Sequence, residues 1–487
     1  MDAADFLPFV DRYGQFKHRD WPGKTHSDAD LAAAKAREAG DLARHPGPAD
    51  RDRFGGWAAG PKLKATGRFR VEKLNGKWWF VDPDGRLFFS LGATRVSPSC
   101  AVTPLNGNGM PDRDCFHEEL PAKGTPLAKF YETCNELLRP FYLMKGETRW
   151  FDYSSANLCR KYGEGYYEAF SDLAHRRLRS WGFNSLGNST DKKIALMDRT
   201  PYAERIEAHS RPIEGSTGFW IKFRDPFDES FAKGVEDALD RHGREAHDPW
   251  CIGFFVDNEL NWGKEDTELA KWTLASPEDQ PARMEFLRRM KAKYGRDVSA
   301  AEVGEEDLRE FSAVLVDEYF RRTRDTLKKY DPNLLYLGCR FIRGTPDRIA
   351  AAAAKYVDAL SNNIYNRDVS GWRLPDGVDK PIVVGEFHFG ALDRGLLAGG
   401  CGVVDTKDQA DRAESFRRYV RSALEHPNFI GVHWHQFSDE PVSGRFDGEM
   451  FQMGLTDICD NPYPEMVDAA RDIGYNIYPL RFTSEGR

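Results

Sequence analysis

Cys251-Ile-Gly-Phe-Phe-Val-Asp-Asn-Glu259 is a short apolar run that ends on a carboxylate, and Pro381-Ile-Val-Val-Gly-Glu-Phe387 repeats that design further along the chain. Apolar residues without polar alternation mark a strand buried on both faces, as in a parallel sheet covered by helices. Six more runs of β-branched or aromatic character can be named around these two: Leu87–Val96, Asn184–Asn188, Gly218–Phe223, Leu335–Arg340, Asp358–Tyr365 and Phe429–Phe437. Amphipathic stretches separate them. Leu308, Phe311, Leu315 and Tyr319 recur at helical spacing, as do Phe416, Tyr419, Val420, Ala423 and Leu424. Asp248-Pro249, Asp331-Pro332, Lys380-Pro381 and His426-Pro427 stand just before strands, where proline stops the preceding helix. Alternating strands and helices with eight strands predict an α/β fold, a (β/α)8 TIM barrel over residues 71–487.

Two regions depart from the alternation. Residues 1–70, rich in Asp, Arg, Ala and Pro, are expected to form an irregular N-terminal arm wrapping the barrel. Glu72–Phe80 and the turn Asp82-Pro-Asp-Gly85 read as a hairpin entering the first strand. Residues 97–167 form a long insertion after strand one, on the face where barrel enzymes build substrate walls.

In such a barrel the chemistry gathers at the carboxyl ends of the strands, so Glu259 on the fourth and Glu386 on the seventh are expected to face one pocket. Two carboxylates so placed suit glycoside hydrolysis: one protonates the leaving oxygen, the other attacks the anomeric carbon. Glu259 fits the acid, with Asn258 beside it able to bond the sugar 2-hydroxyl, and Glu386 fits the nucleophile. A single strand-end glutamate can equally cap a strand or pair with an arginine; the pairing of two, one preceded by Asn and one by Gly, favours catalysis.

With Asn-Glu on strand four and Glu on strand seven, the chain resembles clan A of the glycoside hydrolases. Its wording is closer still to glycoside hydrolase family 50, the β-agarases. The matching stretches are Lys77-Trp-Trp-Phe-Val-Asp-Pro-Asp-Gly85, Asn157-Leu-Cys-Arg-Lys-Tyr-Gly163, Trp181-Gly-Phe-Asn184, Ile252-Gly-Phe-Phe-Val-Asp-Asn-Glu259, Gly385-Glu-Phe-His-Phe-Gly390 and Gly444-Arg-Phe-Asp-Gly448. The resemblance implies a retaining, exo-acting hydrolase of β-linked galactans with Glu259 as acid/base and Glu386 as nucleophile. Agarose-type oligosaccharides are the first expectation, and another β-galactoside, such as a carrageenan-derived one, the alternative. Members of that family often carry a β-sandwich module ahead of the barrel. This chain has too few residues before its first strand for one, which favours oligosaccharides over polymer.

Other strand-end residues follow the same logic. Tyr365 is placed to donate to Glu386, and Trp434 to form an aromatic floor under the cleaved sugar, with core packing as the rival for both. Asn188 and Trp262 are placed to line neighbouring subsites, with a surface or packing role as an equal reading. His388 and His435 are expected to bond sugar hydroxyls. A His-x-His pair, His433 and His435, together with His388 also raises a metal-dependent barrel hydrolase. Against it, no H-E-x-x-H occurs and the first strand lacks the His-x-His of metal-dependent amidohydrolases. No metal or cofactor is therefore expected. A non-catalytic carbohydrate-binding barrel is the third reading, and it has no need of the acid. Gly395–Gly402 reads as a mobile loop after strand seven.

Composition narrows the partners. A net charge of −8, with basic clusters mixed among acidic residues, argues against nucleic acid. No apolar segment is long enough to span a membrane. The eight cysteines are scattered without a C-x-x-C pair, as expected of reduced thiols. An amino terminus without a basic and then apolar region predicts a cytoplasmic protein, or an exported one whose leader has been removed. The aromatic content, 13% with 12 Trp, suits either sugar-stacking surfaces or simply a large core. The expected partner is an oligosaccharide.

Overall fold

The computed structural model describes residues 6–107, 109, 112–396 and 404–483. Seven strands lie side by side, all parallel, in the order Leu360–Asn363, Ile382–Phe387, Phe429–Trp434, Ser90–Ala93, Ser185–Leu186, Tyr202–Ile206, Cys251–Val256. The sheet is nearly closed. Residues 335–341 lie between its two edges: on one side Leu337 N–H donates to Phe254 O at 2.8 Å, and on the other Phe341 N–H donates to Ser361 O at 2.8 Å. That segment is an irregular stave with isolated bridges at Tyr336 and Phe341, the latter next to the left-handed backbone of Arg340 (φ 53°).

The third strand is corrected. Gly218–Phe223 is not a strand; the place is taken by Tyr202–Ile206, hydrogen-bonded to Cys251–Val256 on one side and to Ser185–Leu186 on the other. Glu204 and Arg205 interrupt the apolar pattern of the true strand, whereas the aromatic residues of the false one imitate β-preference. The expected first run is also divided: Leu87–Phe88 closes a three-stranded antiparallel sheet with Arg70–Leu74 and Lys77–Val81, and only Ser90–Ala93 enters the parallel sheet. The Asp82–Gly85 turn joins the last two strands of the antiparallel sheet, Gly85 at φ 88° supplying the left-handed position.

The helices coat the sheet with the stripes their spacing predicts. Leu308, Phe311, Leu315 and Tyr319 are buried on helix Glu305–Tyr330, where Phe311 stacks on Phe286 with ring centroids 4.1 Å apart. The stripe on helix Gln409–Glu425 is buried in the same way. Asp248, Asp331 and His426, each followed by proline, are the C-caps of their helices.

The first seventy residues are less irregular than expected. They contain helix Asp28–Arg44, opened by a Ser27–Asp30 capping box. Phe9, Val10, Tyr13 and Leu31 pack on Ala101, Phe130, Phe151 and Tyr153 of the insertion in a cluster separate from the barrel core. Helix Tyr166–Ser180 joins distant parts of the chain through Arg177. Its fully buried guanidinium donates to Glu38 at 2.6 and 2.8 Å and also pairs with Asp460.

Candidate active site

Glu259 follows the strand Cys251–Val256 by three residues, in a turn whose Asp257 and Glu259 both hold left-handed φ (62° and 51°). Such backbone costs a non-glycine residue on the order of 1 kcal/mol or more and concentrates at functional sites. It is over-determined here: Glu259 N–H donates to Arg340 O at 3.2 Å, and the buried Asp257 carboxylate accepts from Ala208 N–H at 3.0 Å and from the Tyr319 hydroxyl at 2.7 Å. Glu386 lies within the strand Ile382–Phe387. Gly385 before it leaves room that a Cβ would take, 2.7 Å from Arg340 Nε and 2.8 Å from Asn363 Oδ1.

Both carboxylates line one cavity of about 390 Å³, together with Asn188, Asn258, Tyr365, His388 and His435. Their settings are opposite. Glu386 Oε1 accepts from Arg340 Nη2 at 2.7 Å and Oε2 from the Tyr365 hydroxyl at 2.6 Å. Against the raising effect of burial, the Arg340 guanidinium and the Tyr365 hydrogen bond hold the Glu386 carboxyl well below the usual range. Breaking a buried, hydrogen-bonded pair such as Arg340–Glu386 typically costs about 3–5 kcal/mol. Among the described residues, the donors to Glu259 are neutral, Asn363 Nδ2 at 2.7 Å on Oε1 and Trp220 Nε1 at 3.0 Å on Oε2. Burial and the facing charge of Glu386 raise its carboxyl above the ordinary value. The two carboxyls are thus shifted in opposite directions, Glu386 toward its ionised form and Glu259 toward its protonated one, as acid-assisted displacement requires.

The remaining polar groups surround this pair. Asn258 Oδ1 lies 3.4 Å from Asn363 Nδ2. Asn188 donates to Ser189 Oγ at 2.9 Å, and its buried Oδ1 has no partner among the described residues. His435 Nδ1 is 2.8 Å from Thr94 Oγ1 and 3.7 Å from Glu386 Oε1; burial lowers its ring well below the ordinary histidine value. His388 Nδ1 is 2.5 Å from His435 O, its Nε2 has no partner among the described residues, and burial lowers the ring to about 4. Neutral imidazoles of this kind offer nitrogens suited to sugar hydroxyls.

Two expected subsite residues are corrected. Trp262 is 2% exposed and stacks on Phe320 at 5.2 Å among Phe223, Tyr319 and Phe341, off the cavity wall. Trp434 is fully buried between Phe387, Phe389 and Phe416, its indole N–H donating to Met453 O at 2.8 Å. Both point their rings into the layer between strand and helix. The three-histidine ligand set does not assemble either, because His433 is turned to Ser90 Oγ at 2.9 Å and is absent from the cavity wall. Among the described residues, the metal-like trio that does assemble is Glu204, His242 and Glu245, with Lys192 Nζ 2.7 Å from Glu245 Oε1. Of the expected glycine-rich loop, residues 397–402 lie outside those described.

Arg340, Asn363 and Trp220 went unread in the sequence. Arg340 ends an apolar run much as the two glutamates do, and Asn363 precedes Tyr365 by the two residues that put strand side chains on one face. Trp220 sits within the stretch mistaken for a strand.

No family model matches the chain. It is 34% identical to β-agarase B of Vibrio sp. (strain JT0107), over 99% of this chain and 56% of that protein, and 30% identical to β-agarase A of the same strain, over 97% and 52%. The chain thus spans about half the length of the curated relatives it matches. Among solved structures, an exo-β-agarase superposes with a TM-score of 0.89 at 31% identity, covering 100% of this chain and 74% of that one. The structure titled PfGH50B gives 0.87 at 30% identity, covering 99% and 76%. At that identity and coverage, the chain belongs to the family of these agarases, glycoside hydrolase family 50.

Proposed function

We propose that the chain hydrolyses β-linked galactan oligosaccharides with retention of configuration, Glu386 acting as nucleophile and Glu259 as acid/base. The observation that carries this reading is the contrast between the two carboxylates of one cavity: Arg340 and Tyr365 hold the Glu386 carboxyl down, whereas burial and the facing charge of Glu386 raise that of Glu259. Glu386 attacks the anomeric carbon while Glu259 gives its proton to the departing sugar oxygen. The glycosyl-enzyme ester is then opened by a water whose proton returns to Glu259, freeing the Glu386 carboxylate. Asn258 meets the 2-hydroxyl; Asn188, His388 and His435 meet other hydroxyls of the bound sugar. No cofactor enters.

The architecture behind this reading is a complete (β/α)8 barrel of clan A type, with 335–341 as its remaining stave and residues 1–70 as a supporting arm. Support for the substrate comes from the relatives, two called β-agarases and one an exo-β-agarase. Agarose-type oligosaccharides cleaved from one end are accordingly the proposed substrate.

The test is a panel of agarose- and carrageenan-derived oligosaccharides, with products weighed by mass spectrometry and the first-formed anomer read by NMR. Disaccharides released from one end, appearing first as the β-anomer, are expected. A first-formed α-anomer contradicts the mechanism, single galactose units indicate a galactosidase, and tight binding without cleavage indicates a lectin-like barrel.

A further inference from the structure

The cavity has two unlike halves. Around Glu386 the wall is polar, with Tyr365, His388, His435, Gln436 and Arg95, the last donating to Gln436 Oε1 at 3.1 Å. Beside Glu259, past Asn258 and Asn363, it turns aromatic. Trp220, which donates to Glu259, meets Phe219 edge-on at 4.6 Å and Phe141 at 5.8 Å. Three large apolar side chains stand exposed at this mouth: Phe219 at 72%, Leu137 at 41% and Ile342 at 40%. They come from three separate loops, after the strand Tyr202–Ile206, in the insertion, and after residues 335–341.

Exposed apolar side chains converging on a cavity mark a surface completed by a ligand. Sugar rings bring both kinds of face, hydroxyl edges for a polar wall and C–H faces for an aromatic one.

Resting on the hydrolase reading above, we infer that Phe219 is a specificity-determining platform for the leaving-group sugar. The acid stands beside the oxygen that departs, and Trp220 ties the acid to the Phe219 loop, so the apolar half lies on the leaving-group side of the scissile bond. The polar half holds the sugar that is transferred to Glu386. A leaving group with an apolar ring face is therefore favoured over one crowded with hydroxyls or charge.

Phe219→Ala is compared with the wild type on a β-linked galactan oligosaccharide and on the β-fluoride of the unit that the enzyme releases. With the fluoride, Glu386 forms the same C–O bond as the C–F bond breaks, and fluoride leaves without a sugar on the apolar side. The variant is expected to lose about tenfold in kcat/KM on the oligosaccharide, mainly through KM, and at least fivefold less on the fluoride, with Phe219→Trp restoring the oligosaccharide value. Equal losses on both substrates, or none on the oligosaccharide, overturn the platform.

If the wild type cleaves neither compound, the hydrolase reading fails instead, and calorimetry decides the platform separately. In a Glu386→Gln background, oligosaccharide affinity is expected to weaken about tenfold on Phe219→Ala; an unchanged dissociation constant overturns the inference.

Discussion

The Tyr365 hydroxyl donates to Glu386 Oε2 at 2.6 Å while Arg340 donates to the other oxygen, so each oxygen of this carboxylate accepts a hydrogen bond from within the protein. In the proposed mechanism Glu386 must give up part of that bonding as it attacks. Tyr365→Phe removes one donor and keeps the ring. A hydrogen bond to a charged group is worth roughly 1.5–3 kcal/mol, so kcat is expected to fall by about one to two orders of magnitude. The Glu386 carboxyl then rises toward its ordinary value, and the acid limb of the kcat/KM profile moves to higher pH. An acid limb that stays in place argues against Glu386 as the group that must be ionised.

Glu259 leads to the opposite limb. As the proposed acid it acts while protonated, so activity is expected below its pKa and lost as pH rises through it. Asn363 lowers that pKa by donating to Oε1. Asn363→Ala is expected to move the alkaline limb upward and, with the ionised form less supported in the second step, to reduce kcat by about tenfold. Steady-state kinetics across pH reads both effects; a downward shift rejects the acid assignment.

Asp257 couples stability to pH. Burial pushes its carboxyl up to about 6, against an ordinary value of about 3.9 in the unfolded chain. Its contribution is complete below the unfolded value and is lost as pH rises through about 6, on the order of 3 kcal/mol in all. In Asp257→Asn the oxygen still accepts from Ala208, and the Tyr319 hydroxyl turns to accept from the amide. Urea unfolding from pH 4 to 8 is expected to show a slope in the wild type that is diminished in the variant.

Chelation separates two chemistries. Because His433 is bonded to Ser90 and lies away from the cavity, the histidines near Glu386 are expected to act as hydrogen-bonding groups. Dialysis against EDTA should leave turnover unchanged. A loss restored by a divalent ion would return His388 and His435 to a metal-dependent role.

Trp434 and Trp262 are expected to matter for stability and not for substrate. Trp434→Phe removes a buried donor to Met453 and part of the ring's packing, at about 1–3 kcal/mol. Its KM should match the wild type, and Trp262→Phe should behave likewise. A raised KM in either would restore it to the sugar site.

Much of this was legible because the relevant signals are local. Apolar runs ending in Glu259 and Glu386 declare themselves over a few residues, as do the stripes on the helices Glu305–Tyr330 and Gln409–Glu425. The third strand was missed because Glu204 and Arg205 break its apolar pattern, while Gly218–Phe223 shows the right residue types in a loop. The direction of an aromatic ring was not legible. Trp434 and Trp262 lie close in sequence to strand ends, yet only tertiary packing decides whether a ring faces the cavity or the helices. Arg340 and Asn363 were missed for a related reason: their partners stand 46 and 104 positions away.

Arg177, tied on one side to Glu38 and on the other to Asp460, spans sequence separations of 139 and 283 residues. Contacts this distant form late, because the loops they close must first give up their conformational freedom. On the ribosome the guanidinium cannot find its second carboxylate until residue 460 has emerged. The final docking of helix Tyr166–Ser180 therefore belongs after most of synthesis, and a nascent chain halted before that point leaves the guanidinium with Glu38 as its partner and the Asp460 side unfilled.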